Sequence, residues 1–375
     1  MFTRELGRTG EQIAVIGQGM TRTGGWETAT EENDLSRVRV LRRGIDLGMN
    51  FIDTAELYGG GHGEEVAARA ITGLRSSVFL TGKFNPSNAG QRDLMLAAEQ
   101  SLKRLDTDHF DLYQVHWPNP AVPQEETLRA MEELVAQGKV RNVGVCNFTR
   151  DQLIDARADV PDLVISSVQS EYNIYQRHVE REMLPYCVAE GITLLAYSPL
   201  DSGLANFGDP RLQKLEQIAA GYKASVYQLI LRWLLANEQV VVIVKTATVS
   251  HLESNARSVE INISESDLSA IDDLFEQKVF DVNPRDVAVL QSDGYRYRTL
   301  EEAELNGDCL IPSPELVAGN TAKGYMLQPV GVRVVEGVGP DQKYALADNE
   351  QVYWSWRMVH GDGAPMPVYI KHGRS

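Results

Sequence analysis

A carboxylate, a phenol, an ammonium and an imidazole stand at the ends of three short apolar runs. One run ends in Phe51-Ile52-Asp53-Thr54-Ala55-Glu56-Leu57-Tyr58, the next in Leu80-Thr81-Gly82-Lys83, and a third in Tyr113-Gln114-Val115-His116-Trp117. Brought to one place, these groups suit the reduction of a carbonyl. Hydride addition to C=O creates an alkoxide, which needs a proton as it forms. Free tyrosine, with a pKa of about 10, is a poor acid at neutral pH. A neighbouring Lys83 is expected to lower that value by favouring the phenolate, with Asp53 holding Lys83 charged and aimed. His116 can hydrogen-bond the carbonyl oxygen and fix its orientation.

The elements that must position these groups are legible as an alternation. Eight apolar runs recur at Ile13–Gly19, Asn50–Ala55, Val78–Lys83, Phe110–Trp117, Val140–Asn147, Ser166–Asn173, Ile192–Pro199 and Val241–Thr246. Helix-like stretches separate them, among them Glu32–Leu47, Arg92–Leu105, Glu125–Gln137, Asp151–Ala158 and Val179–Ala189. The pattern predicts an α/β fold, a (β/α)₈ barrel whose catalytic groups sit where its strands end. Phe2–Leu6 and Gln12–Val15 flank Gly7-Arg8-Thr9-Gly10, which reads as a hairpin able to plug the barrel floor. A doubly wound sheet would be expected to carry Gly-x-Gly-x-x-Gly after its first strand, but Gly17-Gln18-Gly19 continues as Met20-Thr21-Arg22. The run Gly59-Gly60-Gly61-His62-Gly63 lacks the Gly-Lys-Ser/Thr ending of a phosphate loop and is expected to be a turn entering a helix.

With these residues in hand, Asp53-x₄-Tyr58, Lys83, His116 and Gly144-Val145-Cys146-Asn147-Phe148 resemble the aldo-keto reductase superfamily over about residues 3 to 278. The resemblance implies Tyr58 as general acid, Lys83 and Asp53 as its tuning pair, and His116 as the orienting group. It implies a nicotinamide cofactor, NADPH in preference to NADH, and no metal. Gly19, Met20, Thr21 and Asp53 are then expected to line the cofactor cradle. Asn147 and Gln169 fall where the nicotinamide carboxamide is held, and Tyr197 where a ring stacks on the nicotinamide. Ser198-Pro199-Leu200 and Ser202 fit the loop over the pyrophosphate. Lys245 and Thr246 resemble the pair that binds the adenosine 2′-phosphate, and Asn255 the adenine contact. Three positions depart from the family pattern. Cys146 replaces a serine, His251 stands where an arginine often grips the 2′-phosphate, and Ser254 stands where an acidic residue often helps close the site. Trp26, Tyr58, Phe84, His116 and Trp117 are expected to wall the substrate pocket. The resemblance also extends to potassium-channel β subunits, which leaves a cofactor-binding regulatory subunit as the alternative to an enzyme.

Composition narrows the partners. The 375 residues carry 52 acidic against 36 basic side chains, a formal net charge of −16. That field repels phosphate backbones, so no nucleic-acid partner is expected. Cys146, Cys187 and Cys309 form no metal-ligand spacing. No apolar run reaches the roughly 18 residues that span a bilayer, and the first ten residues lack a signal-peptide core, so the cytoplasm is the expected compartment.

Glu265–Gln277 reads as one more helix, with Ser264 as its N-cap, and the texture changes near Phe280. The expected division is a barrel over 1–280 and a small β-rich module over 281–375. Gln328–Val335, Gln351–Met358 and Met366–Ile370 read as strands, and Tyr353-Trp354-Ser355-Trp356 as a strand with one apolar face. That face is expected to pack on the barrel or on another subunit, offering a surface for self-association or a protein partner. Leu327–Val330, Tyr344–Asn349 and Pro365–Ile370 are faintly similar to ParB-like or sulfiredoxin-like folds. Their Gly-x-x-Arg phosphate motif is not found around Asn349, so no chemistry is carried over from them.

Overall fold

The computed structural model describes residues 1–23, 31, 33–200, 209–290, 297, 299–305, 314–325, 328–335 and 343–371. Trp26 and Ser202 lie outside the described residues.

Thr3–Glu5 (β1) and Gln12–Ala14 (β2) pair antiparallel, with Thr3 opposite Ala14 and Glu5 opposite Gln12. The run Ile13–Gly19 is therefore shared by two sheets: Ile16–Gly19 (β3) opens the barrel after a break at Val15. It is followed by Phe51–Asp53 (β4), Phe79–Phe84 (β5), Phe110–Val115 (β6), Val140–Cys146 (β7), Ile165–Glu171 (β8), Thr193–Tyr197 (β9) and Val240–Val244 (β10). These strands close in the order β10-β3-β4-β5-β6-β7-β8-β9. Every neighbouring pair is parallel. Such strands are covered on both faces, which is why β10 is Val-Val-Val-Ile-Val and buried throughout.

The hairpin closes one end. Leu6, Ile13 and Ala14 are buried among Phe51, Phe79, Leu112, Leu195, Val241 and Ile243. Phe51 and Phe79 open their strands, so the plugged end is the one where strands begin. The Gly7 amide also donates to Thr193 Oγ1 at 2.7 Å, tying the hairpin turn to the start of β9. The opposite rim is left for chemistry.

Around the strands run Asp34–Asp46 (α1), His62–Ile71 (α2), Gln91–Leu105 (α3), Gln124–Ala136 (α4), Arg150–Asp159 (α5), Met183–Glu190 (α6), Pro210–Gly221 (α7), Val226–Leu234 (α8), Val249–Ala256 (α9) and Glu265–Leu274 (α10). Local sequence sets their starts. Thr149 and Gln152 form a reciprocal capping box before α5, and Ser225 and Gln228 another before α8. Ser264 accepts from the Asp267 amide at 3.1 Å, capping α10.

The chain divides into two compact units, and Asp273–Ser375 makes up most of the second. Its sheet runs Val279–Val282 (β11), Met366–Ile370 (β15), Val330–Val334 (β13), Tyr344–Asp348 (β14) and Val287–Ala288 (β12). Pairing alternates along it: β11 with β15 antiparallel, β15 with β13 parallel, β13 with β14 antiparallel, β14 with β12 parallel. Leu300–Leu305 (α11), Pro314–Ala322 (α12) and Glu350–His360 (α13) complete it.

Helix α13 overturns the strand expected at Gln351–Met358. Val352, Tyr353, Trp354 and Ser355 are buried consecutively, so the segment shows neither a strand's alternation nor a one-sided helical stripe. Tyr353 and Trp354 are buried side chains of this helix. They belong to the unit's own core, with Val282, Leu346, Met366 and Val368. High β-propensity of the aromatics misleads here, and packing from more than one side decides the conformation.

Candidate active site

The barrel places Asp53 at the last position of β4 and Lys83 near the end of β5, with His116 just past β6. Tyr58 follows β4 by one short turn. That turn depends on glycine: Gly59, Gly60 and Gly61 all have positive φ, at 64°, 60° and 99°, before α2 begins at His62. The expected turn into a helix is found.

Lys83 Nζ donates to Asp53 Oδ1 at 2.7 Å and to the Thr54 carbonyl at 3.0 Å. The ammonium lies 5.5 Å from the centre of the Tyr58 ring. The Tyr58 and His116 rings meet edge to face at 6.0 Å. All four side chains are buried. Burial alone would pull the Lys83 ammonium down, but the Asp53 carboxylate, by its charge and its hydrogen bond, carries it above the usual lysine value.

Tyr58 departs from the sequence expectation. Burial pushes its phenol above the ordinary tyrosine value, and Lys83 opposes that push without reversing it. The sequence shows the nearby cation but not the removal of the hydroxyl from water. The consequence is a phenol that is fully protonated at neutral pH, the form an acid must have. His116 is held well below the usual histidine value, first by burial and then by the Lys83 charge. It is therefore a neutral imidazole, and its buried Nδ1 finds no hydrogen-bond partner among the described residues.

A buried relay supports the pair from below. Gln114 Nε2 donates to Gln169 Oε1 at 2.8 Å, and Gln169 Nε2 donates to Asp53 Oδ2 at 3.2 Å. Both oxygens of Asp53 are thus engaged. Gln114 was not singled out in the sequence. Its signal is parity: it sits two residues before His116 on β6 and so faces the same side.

Asn147 gathers three strand ends. Its backbone takes a positive φ of 61°. Its Nδ2 donates to the His116 carbonyl at 2.9 Å and lies 3.1 Å from Cys146 Sγ, while its Oδ1 accepts from Tyr197 OH at 2.9 Å. Cys146 is buried and its thiol is pushed up, so it stays neutral. Ser198, also at positive φ (50°), presents its carbonyl to Asn173 Nδ2 at 3.1 Å, and Leu200 is half-buried beyond it. Gly19 ends β3, and the Met20 amide donates to the Asp53 carbonyl at 3.0 Å. Thr21 Oγ1 lies 3.4 Å from Tyr58 OH. Trp117 is half-buried at the same rim. Phe84 does not join the pocket. Strand pleating turns it away from Lys83, and its fully buried ring lies 5.9 Å from Tyr113.

The last strand and the helix after it carry the remaining residues. Lys245 and Thr246 follow β10, Thr248 caps α9 by accepting from the His251 amide at 3.3 Å, and Asn255 is buried on that helix. Arg37 of α1 donates to the Thr246 carbonyl. Lys245 is lowered to about 8 by burial and by the charges of Arg37 and Arg22. Neither arginine was picked out in the sequence, since a charged residue on a helix face or loop reads as solvated surface. Together the three cations suit a phosphate, so the residues present fit a phosphorylated nucleotide. Among the described residues no group of three His, Cys, Asp or Glu side chains gathers as a metal site, and no helix is long and apolar enough to cross a membrane.

A closed (β/α)₈ barrel carrying aspartate, tyrosine, lysine and histidine at one rim defines a class of nicotinamide-dependent oxidoreductases. The chain belongs to the aldo/keto reductase family, whose profile it matches over residues 15–276. It is 36% identical over 261 residues to the methylglyoxal reductase YeaE of Escherichia coli, covering 69% of this chain and 90% of that one. Among solved structures it is similar to the thermostable aldo-keto reductase Tm1743 in complex with the inhibitor epalrestat. The identity is 43% and the TM-score 0.71, over 73% of this chain and all of that one. An aldo/keto reductase from Klebsiella pneumoniae in complex with NADP and acetate is 33% identical, with a TM-score of 0.67 over 73% of this chain and 95% of its own.

Proposed function

We propose that this protein reduces a small aldehyde or ketone to the alcohol with NADPH, and runs the reverse oxidation with the same residues. The observation that carries this reading is the convergence of Tyr58, Lys83, Asp53 and His116 on one rim, with Lys83 bound to Asp53 at 2.7 Å and 5.5 Å from the Tyr58 ring. Nicotinamide, when bound, supplies the hydride to the carbonyl carbon. His116, neutral, orients the carbonyl oxygen through a ring N–H. Tyr58 gives its phenolic proton to that oxygen as the alkoxide forms, and the Lys83 ammonium stabilises the phenolate left behind. Asp53, fixed by Gln169, keeps Lys83 in place.

Asn147, Gln169, Tyr197, Ser198 and Leu200 are the residues assigned to the nicotinamide and pyrophosphate side. Lys245, Thr246, His251 and Asn255 are assigned to the adenosine side. The name of the E. coli relative makes a small α-oxoaldehyde the first substrate to try. The cytoplasm is the compartment this reading expects, and the stretch from Asp273 onward contains none of the assigned residues.

Tyr58→Phe tests the assignment. NADPH-linked turnover should fall by about 10²–10⁴-fold, while the NADPH dissociation constant stays near the wild-type value. Turnover close to wild type would remove Tyr58 from the reaction. Tight NADPH binding by the wild type with no turnover on a panel of small carbonyls would favour a regulatory subunit.

A further inference from the structure

We infer that Arg37 is a specificity-determining residue for the cofactor, joining Lys245 at the end of β10 to hold the adenosine 2′-phosphate. The inference rests on the NADPH reading above and adds to it a residue that the family resemblance did not supply.

Arg37 lies on α1, far in sequence from the end of β10, yet its Nη1 donates to the Thr246 carbonyl. One hollow is lined by Arg37 and by Gly19, Met20 and Thr23 on one side and Thr246 and Leu252 on the other. Arg37 therefore shares a hollow with Gly19, Met20 and Thr246, three of the residues assigned to the cofactor.

Charge separates this arrangement from an ordinary surface cluster. Nearby Arg43, also on α1, is paired with Glu253 at 2.7 Å. Among the described residues Arg37 and Lys245 each pair with no carboxylate. Arg22 contributes a further positive charge felt at Lys245. The chain as a whole carries a net charge of −16, so two cations without a carboxylate partner among the described residues at one strand end stand against its average. Like charges repel one another, and a bound dianion would offset that repulsion. The guanidinium fork also answers a gap. His251 occupies the place where the family pattern has an arginine, and Arg37 reaches the same strand end from α1, able to grip a phosphate with two N–H groups.

The test is a pair of fluorescence titrations, NADPH and NADH, on the wild type and on Arg37→Gln and Lys245→Ala. Titrations with 2′,5′-ADP and 5′-ADP would isolate the adenosine end. Arg37→Gln should weaken NADPH and 2′,5′-ADP by about tenfold or more, with NADH and 5′-ADP changed by less than about threefold. Equal losses for both cofactors in Arg37→Gln, or no loss for either, overturn the inference. If Arg37→Gln does not fold, Arg37→Lys carries the same comparison, with a selective loss of about threefold expected from losing the fork. Equal behaviour of the two cofactors there overturns it as well. A wild type with no preference for NADPH would defeat the NADPH reading itself. A wild type whose preference is abolished by Lys245→Ala but kept in Arg37→Gln would defeat only the role of Arg37.

Discussion

At the scale of residues, burial and charge oppose each other on Tyr58 and Lys83 and act together on His116. Tyr58 is kept protonated and His116 neutral, while Lys83 is kept charged by Asp53. Lys245 is the group whose titration falls within an accessible range. Burial, Arg37 and Arg22 lower it to about 8. Below that pH it is an ammonium that favours a phosphate dianion, and above it the charge is lost. NADPH binding should therefore be level between about pH 7 and 7.5 and weaken above about 8, by up to about tenfold per pH unit for one linked proton. NADH binding should stay nearly level over the same range. Titrations at fixed ionic strength would check this, and parallel curves for the two cofactors would show that Lys245 does not face the extra phosphate. The reacting residues were legible because polar side chains at the ends of apolar strands are conspicuous. Gln114 and Arg37 were not, since neither its relay to Asp53 nor its reach to Thr246 exists until the barrel closes.

At the scale of elements, the turn from β4 into α2 carries Tyr58 and has little freedom. Gly61 takes φ 99°, and a β-carbon there would come within 2.5 Å of Arg104 Nε. Arg104 cannot easily yield, being bound to the buried Glu64 at 2.6 Å and to Ser101 Oγ at 3.0 Å. Gly61→Ala should destabilise the protein by roughly 1–2 kcal/mol from the backbone alone. It should also lower kcat more than it weakens NADPH binding, because Tyr58 shifts and the adenosine side does not. Thermal melts and steady-state kinetics would show this, and an unchanged kcat would mean that the turn does not set the position of Tyr58. The same scale shows where sequence reading holds and where it fails. Barrel strands such as Val240–Val244 are apolar runs of the length of a strand, bounded by turn residues, and can be read directly. Helix α13 cannot, because its aromatic residues favour strands in isolation and its burial from several sides erases any period.

At the scale of the whole molecule, the two units have separate interiors. The core at the barrel floor is built from residues between Leu6 and Ile243, and that of the second unit from residues between Val282 and Val368. A module of about 90 residues has a limited core. That limit suggested from sequence that Tyr353 and Trp354 would need the barrel or another subunit to cover them. Within the folded unit both are buried in a core shared with Val330, Val332 and Val368 of its mixed sheet, an arrangement not visible in any local pattern. The hydrogen bonds described for the site, from the Lys83–Asp53 pair to the relay through Gln169 and Gln114, all join residues before 273. A shortened chain ending at Gln277 should therefore fold, bind NADPH within about twofold of the full chain, and retain its preference over NADH, since a twofold change is well under 1 kcal/mol. Urea unfolding should show the second unit as a separate step in the full chain and lose that step, with a smaller total m value, in the shortened one. A shortened chain that precipitates, or that binds NADPH tenfold more weakly, would mean that the second unit supports the barrel and that the two cannot be treated as independent.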